Sequence, residues 1–288
     1  MVAAIARAIS EAELCGLARG VFIGHDKIAP MAQIVRDPTM RFSDRVDDYV
    51  KYRPRYGRNV VEALSKACAL TPDAIVADIG VGTGFSAEPF LENGNRVIGI
   101  EPNREMREAG ERYLSGYAGF EMREGSAEQS GLADASVDFV LAGQAFHWFD
   151  RERARAEFGR ILKREGWCVL IWHDRSTEAT PFLRAYEEFL HRHAVDYKQV
   201  VHRQVANFDV LRAFFAPGAV KLMSIPAEQR FDFDGLRGRL LSSSYVPREG
   251  PAAEAMLAEL PDLFASYQQG GQVALLYETK IFYGHLTP

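Results

Sequence analysis

The hydrophobic pattern changes period as the chain is read. From Asn59 to Leu70, Val60, Val61, Leu64 and Ala67 or Cys68 recur at helical spacing on one face. Ala74 to Ile79 is then a short, almost continuous apolar run, the pattern of a strand covered on both faces. A glycine turn follows, and a helix is expected over Phe85 to Glu92, closed by Asn93 and Gly94. Arg96 to Ile100 is a second strand, and Asn103 is placed to cap a helix reaching about Leu114. Phe120 to Glu124 and Val137 to Ala142 predict the third and fourth strands. Asp150 opens a periodic helix through Phe158, Ile161 and Leu162 that is expected to close at Gly166. Trp167 to Trp172 is the fifth strand. Strand and helix alternating in this way predict a parallel, doubly wound α/β sheet.

The flanks read differently. Met1 to Leu17 is alanine-rich with helical character, and Gly20 to Pro38 is irregular. Residues 1–40 are expected to be an N-terminal extension, with Met40 as an alternative start. Phe42 to Tyr56 is aromatic and charged, breaks at Pro54, and reads as a lid over a site. Beyond Asp174, Pro181 to Ala216 is mostly helical, Ala219 to Phe233 contains a strand, and Leu236 to Ser244 and Pro251 to Tyr267 read as helices. Val273 to Tyr283 is a long β-rich run. The expected organisation is one domain over 41–288, with a ligand-binding core at 59–173. A cap and the completion of the sheet then occupy 174–288.

Composition narrows the classes. The chain has 288 residues, 47% hydrophobic and 25% charged, which excludes a disordered or disulfide-scaffold protein. A net charge of -5 lacks the basic excess of a nucleic-acid binder. Cys15, Cys68 and Cys168 are sparse and show no paired spacing, so no zinc knuckle or redox pair is read, and a reducing, cytoplasmic setting is expected. The stretch Leu263 to Tyr277 lacks charge but contains Gln268, Gln269 and Gln272, so no membrane span is expected.

The glycine turn carries the chemistry. Asp78 precedes Gly80, Gly82 and Gly84, directly after a strand and before a helix. A dinucleotide fingerprint needs a glycine where Phe85 stands. An acid facing that turn repels a pyrophosphate and suits a ligand bearing an ammonium group. Glu101 ends the second strand about twenty residues on, where a carboxylate can accept both ribose hydroxyl protons. Pro102 follows. Met106 lies one helical turn beyond, placed to pack under a purine, and Ser126, Ala127 and Glu128 follow the third strand, placed to meet its edge.

Taken together, Asp78 to Gly84, Glu101 to Met106, Gly125 to Glu128 and Gln144 to Trp148 resemble a class I S-adenosylmethionine-dependent methyltransferase. The flavour is similar to the small-molecule branch of trans-aconitate methyltransferases. Phe42 to Trp172 carries the likeness; beyond Asp174 it is loose, and Arg164-Glu165-Gly166 replaces the Pro-Gly-Gly turn usual in the family. The resemblance implies a Rossmann-like, seven-stranded sheet with an antiparallel last strand, Val273 to Tyr283, inserted between strand five and the Ala219–Phe233 strand. Residues 175–216 and the Phe42–Tyr56 segment are expected to cap the strand ends. S-adenosyl-L-methionine is the implied cofactor, with Tyr49, Arg53 and Gln144 joining the residues above in binding it. Tyr52, Trp148, His173 and Tyr245 are candidates for the acceptor wall.

Methyl transfer is an in-line displacement with a neutral leaving group, so positioning is the main requirement and a base is needed only for a protonated nucleophile. His147, just past strand four, is the candidate base; its alternative role is to wall the pocket with Trp148. His191 and His193 are two apart on a helix, point apart and read as surface, so no metal site is expected. The fourth-strand stretch Gly143-Gln144-Ala145-Phe146 lacks the proline clamp of base methyltransferases. A small organic acceptor is therefore favoured, with methylation on oxygen or a carboxylate slightly ahead of nitrogen or carbon. The competing readings are a non-catalytic cofactor-binding protein and an NAD(P)-dependent oxidoreductase.

Overall fold

A computed structural model of the chain describes residues 7–8, 50–195, 197 and 208–286. One mixed sheet runs through it in the order β1-β7-β8-β6-β5-β2-β3-β4. The strands are β1 (Arg7–Ala8), β2 (Ile75–Ile79), β3 (Arg96–Ile100), β4 (Phe120–Arg123), β5 (Val137–Gly143), β6 (Leu162–Arg175), β7 (Lys221–Phe231) and β8 (Val273–Gly284). The five central strands β2 to β6 are parallel, as their apolar runs and helical crossovers require. β8 lies antiparallel between β6 and β7, the expected insertion. The seven expected strands are present, and the two-residue β1 adds to the outer edge of β7. Arg7 and Ala8 are thus extended rather than helical; the rest of the 1–40 extension, including Met40, lies outside the described residues.

Each strand sends alternate side chains to two cores. Val76, Leu141, Val169 and Ile171 face the helix Arg58–Cys68, which buries Val60, Val61, Leu64 and Cys68 against them. Ala77, Ile79, Val140 and Leu170 face the helix Arg151–Ile161, which buries Ala154, Phe158 and Ile161. Asn103 caps the helix Arg104–Tyr113 by accepting from the Met106 amide at 2.8 Å. Asp150 caps Arg151–Ile161 in the same way through the Arg153 amide.

Three expectations are corrected. The helix after the glycine turn is only Glu88–Glu92, because tight turns from Gly84 to Ala87 consume the first amides and Pro89 has none to give. The helix Arg151–Ile161 ends five residues before Gly166, since Leu162 turns extended and pairs with Val137, opening β6 early. The helix Phe208–Phe215 is not part of the cap. It packs under the sheet, where Phe214 meets Phe146 and Phe158, and Arg155 Nε donates to the Phe214 carbonyl at 2.8 Å.

The cap is instead built from Pro181–His193, Phe233–Leu241 and Pro251–Tyr267. A third core holds them together around Phe182, Tyr186, Phe189, Leu236, Met256 and Leu260. Thr180 caps the first, with Pro181 at its start, and Asp232 accepts from the Gly235 amide at the start of the second. His191 and His193 do point apart, but His193 is not a surface residue. Its side chain is half-buried, with Nε2 2.6 Å from Glu259 Oε2 on the third cap helix.

Candidate active site

The C-terminal ends of β2, β3, β5 and β6 open into one cavity of about 530 Å³, closed on the far side by the cap. Its floor is the backbone of Gly80 to Thr83. The turn is tight: the Gly80 amide donates to the Ile100 carbonyl at 2.8 Å, which ties it to the neighbouring strand. Gly82 has φ +56, and its amide donates to Glu101 Oε2 at 3.0 Å. A side chain at Gly82 would also meet Met106 Cε at 3.1 Å. The positive φ and the close approach of Met106 both favour glycine there.

Glu101 is buried, 8% exposed, and lines the cavity. Its second oxygen, Oε1, accepts from the Asn103 amide at 3.0 Å. Burial pushes its carboxyl up, while those two amides and the Arg107 charge oppose the shift. Each oxygen retains acceptor capacity for hydroxyls from the cavity. Pro102, Met106, Ser126, Ala127 and Glu128 line the same half, as the spacing predicts. Glu128 Oε1 also accepts from the Asp150 amide at 2.9 Å, which joins the third-strand loop to the fourth.

Two expected cofactor residues sit elsewhere. Gly84 does not line the cavity: it holds φ +93, and a Cβ there would come within 2.5 Å of Leu114 Cδ1, so its glycine serves close packing of the turn on Leu114. Asp78 is fully buried beneath the floor rather than in the wall. Neither carboxylate oxygen has a hydrogen-bond partner among the described residues. Burial pushes its pKa up to about 7 and the Glu101 charge adds to that, while the nearby Ser86 hydroxyl opposes it. An unsatisfied buried acid beside a glycine cradle, next to a second acid with spare lone pairs, fits a ligand that brings positive charge and ribose hydroxyls.

Arg53, Gln144, His147, Trp148, His173 and Tyr245 line the cavity as expected. Arg53 Nη2 donates to the Ser242 carbonyl at 2.9 Å, anchoring the entry segment to the cap. Gln144 holds φ +57 and its Nε2 donates to the His173 carbonyl at 3.3 Å, so the loop after β5 is tied to the end of β6. His147 and Trp148 form a short 3-10 turn with ring centroids 4.7 Å apart. Tyr52 is displaced from the acceptor wall. Its ring lies over Gly238, where a Cβ would approach it to 2.2 Å. Tyr49 lies outside the described residues.

His173 stacks on Tyr56 at 4.3 Å between centroids, and its Nδ1 is 3.0 Å from Thr279 Oγ1. Burial pulls its pKa down to about 4, with the Arg239 charge adding to the effect. The ring is neutral at pH 7, and its Nε2 has no hydrogen-bond partner among the described residues. The sequence reading missed the rest of this wall. Arg175 and Tyr197, Arg239 and Tyr277, and Lys280 paired with Asp174 all reach it from β6, β8 and the cap. Arg175 alone carried a signal, being at the end of a central strand.

Among the described residues, no group of His, Cys, Asp or Glu is arranged to hold a metal ion, and no helix is long and apolar enough to cross a membrane. Cys68 and Cys168 are buried free thiols whose pKa burial raises.

A parallel sheet of this order, with an antiparallel β8 and a glycine cradle at its strand ends, is the fold of class I methyltransferases, enzymes that take their methyl group from S-adenosylmethionine. Residues 77–170 match the family model described as a methyltransferase domain. An uncharacterised methyltransferase-like protein of Schizosaccharomyces pombe is 26% identical over 252 residues, covering 86% of this chain and 96% of that protein. An uncharacterised methyltransferase of Mycobacterium tuberculosis is 33% identical over 157 residues, which span 54% of this chain and 61% of its own length. A solved structure from Anaeromyxobacter dehalogenans, described as a candidate type II methyltransferase, superposes with a TM-score of 0.63. It is 24% identical and covers 82% of this chain and 99% of the other. The oxidoreductase reading is set aside.

Proposed function

We propose that the chain transfers the methyl group of S-adenosylmethionine to a small organic acceptor enclosed between the glycine cradle and the cap, at an oxygen or a carboxylate. The observation that carries this reading is the continuity of the cavity: one space of about 530 Å³ runs from the Gly80–Thr83 floor to Tyr245 and Arg239 in the cap. That volume suits small ligands rather than a polymer, and the net charge of -5 gives a nucleic acid no electrostatic foothold. Acids of the trans-aconitate type fall within this acceptor class.

S-adenosylmethionine, when bound, supplies a methyl group on a sulfonium. Glu101 takes the ribose hydroxyls, Met106, Ser126 and Ala127 enclose the adenine, and Asp78 and Arg53 answer the charges of the methionine end. The cap excludes water and holds the acceptor in line, a contribution worth about 7–11 kcal/mol in well-oriented systems. His147 faces the cavity from the loop after β5 and can take a proton from a hydroxyl acceptor; an ionised carboxylate needs no such base.

The test is turnover. The purified chain is incubated with S-adenosylmethionine and panels of carboxylic acids, phenols and amines, and S-adenosylhomocysteine is quantified. Methylation of at least one acid or phenol, and of no RNA or DNA, is expected. Tight cofactor binding with no turnover across the panels and with cell-extract metabolites supports a binding-only protein instead.

A further inference from the structure

The cavity holds a buried cation with no anion. Arg239 is 5% exposed and lines the cavity from the cap helix Phe233–Leu241. Its Nε donates to the Tyr277 hydroxyl at 3.4 Å and its Nη1 to Ser243 Oγ at 3.0 Å. Among the described residues, Nη2 has no hydrogen-bond partner and no carboxylate pairs with the group. Two other cations of this wall are matched. Arg175 pairs with Glu187, and Lys280 pairs with Asp174. Arg175 also keeps one nitrogen, Nη1, buried and without a partner. A guanidinium is always charged, and burying one without a counter-charge is unfavourable unless a ligand supplies it.

We propose that Arg239, assisted by Arg175 Nη1, binds a carboxylate of the methyl acceptor, so that the substrate is an organic acid held by its anionic head. The inference rests on the methyl-transfer reading above. A single unmatched positive charge suits a monoanionic carboxylate better than a dianionic phosphate. Tyr245, Tyr197 and Tyr186 lie around the two guanidiniums and give the site an aromatic wall for the acid's organic body. Although burial opposes it, the positive charges of Arg239, Arg175 and Arg53 draw the Tyr245 hydroxyl below its usual range. Glu101 lines the glycine-cradle part of the same cavity, with Asp78 buried outside the lining, so the unmatched guanidinium is set apart from the acid expected to meet the cofactor.

A carboxylate also belongs to the methionine end of the cofactor, and the experiment separates the two sources. Benzoate, cinnamate and glutarate are titrated into the chain saturated with S-adenosylhomocysteine, beside benzamide, cinnamamide, glutaramide and phenyl phosphate. At least one acid is expected to bind about 10- to 100-fold more tightly than its amide and more tightly than phenyl phosphate. Arg239→Gln should erase that preference, and Arg239→Lys should keep part of it, with S-adenosylhomocysteine affinity unchanged in both. Arg239→Met should keep or raise the melting temperature, because it removes an unmatched buried charge.

No acid outbinding its amide, or a preference for phenyl phosphate, overturns the carboxylate subsite. Loss of S-adenosylhomocysteine affinity in Arg239→Gln assigns the residue to the cofactor and also overturns it. A sharply lowered melting temperature in Arg239→Met marks a structural guanidinium and does the same. An unaltered chain that binds no S-adenosylhomocysteine tells against the cofactor reading itself, whereas cofactor binding without acid preference tells against this subsite alone.

Discussion

Glu101 holds Gly82 in place: its Oε2 accepts the Gly82 amide at 3.0 Å, while Oε1 accepts the Asn103 amide at the same distance. The acid therefore fixes the loop after β2 as well as offering lone pairs to the cavity. Glu101→Ala is expected to weaken S-adenosylmethionine binding by about 10- to 100-fold, the scale of charge-assisted hydrogen bonds. Because the tether to Gly82 is lost too, methionine-only fragments should weaken along with adenosine. Calorimetric titration of the cofactor and both fragments checks this; unchanged affinities dissociate Glu101 from the site.

Asp78 has its carboxyl raised from 3.8 to about 7 by burial. Between those values the folded chain holds a proton that the unfolded chain releases. Stability is thus greatest near pH 4 and declines as pH rises to about 7. Asp78→Asn should raise the melting temperature above pH 7 by about 1.5–2 °C per kcal/mol recovered, with the gain vanishing towards pH 4. A cationic cofactor favours the ionised acid, so binding should release a proton near pH 7 and tighten from pH 6 to pH 8. Calorimetry in buffers of different ionisation enthalpy measures that proton directly. Asp78→Ala should weaken the cofactor by about 10- to 100-fold as well.

His173 works in the opposite sense. Its pKa is lowered from 6.5 to about 4, so below pH 6.5 the unfolded chain takes up a proton that the folded chain refuses. Stability is fully present above about pH 6.5 and is lost as pH falls towards 4. His173→Gln should flatten this acid limb in thermal melts between pH 4 and pH 7. An unchanged limb places the acid sensitivity elsewhere.

His147 is the side chain to test for proton transfer. If the acceptor is a hydroxyl, His147→Ala is expected to lower turnover by about 10²–10⁴ with cofactor affinity kept. If the acceptor is a carboxylate, His147→Asn should remain active. Pre-steady-state rates of the two variants decide between these outcomes.

The cofactor half of the site was legible because a doubly wound sheet puts ligands at the C-terminal ends of its parallel strands. Gly80, Glu101, Ser126 and Gln144 each follow one such strand, so sequence position alone located them. Asp78 and Gly84 do not line the cavity, and pattern does not tell a wall from what lies behind it: one side chain is fully buried, and a Cβ on the other would meet Leu114. The acceptor wall was largely illegible. Arg175, Arg239 and Tyr277 come from three separate elements and converge only through the β6–β8 pairing and the cap packing. Tyr52 failed for a related reason, since the glycine that draws its ring away lies in a distant helix.

The placement of β8 sets an order of assembly. The strands that bear the glycine cradle and Glu101 all precede Arg175, so that half can pair as it leaves the ribosome. β6 and β7 must meanwhile wait, each with an open flank, until Val273–Gly284 emerges and fills the gap between them. Tyr277 and Lys280 arrive on that same strand. A nascent chain can therefore shape its donor pocket well before its acceptor pocket exists, and the two waiting flanks are where a chaperone or a neighbouring chain finds exposed backbone.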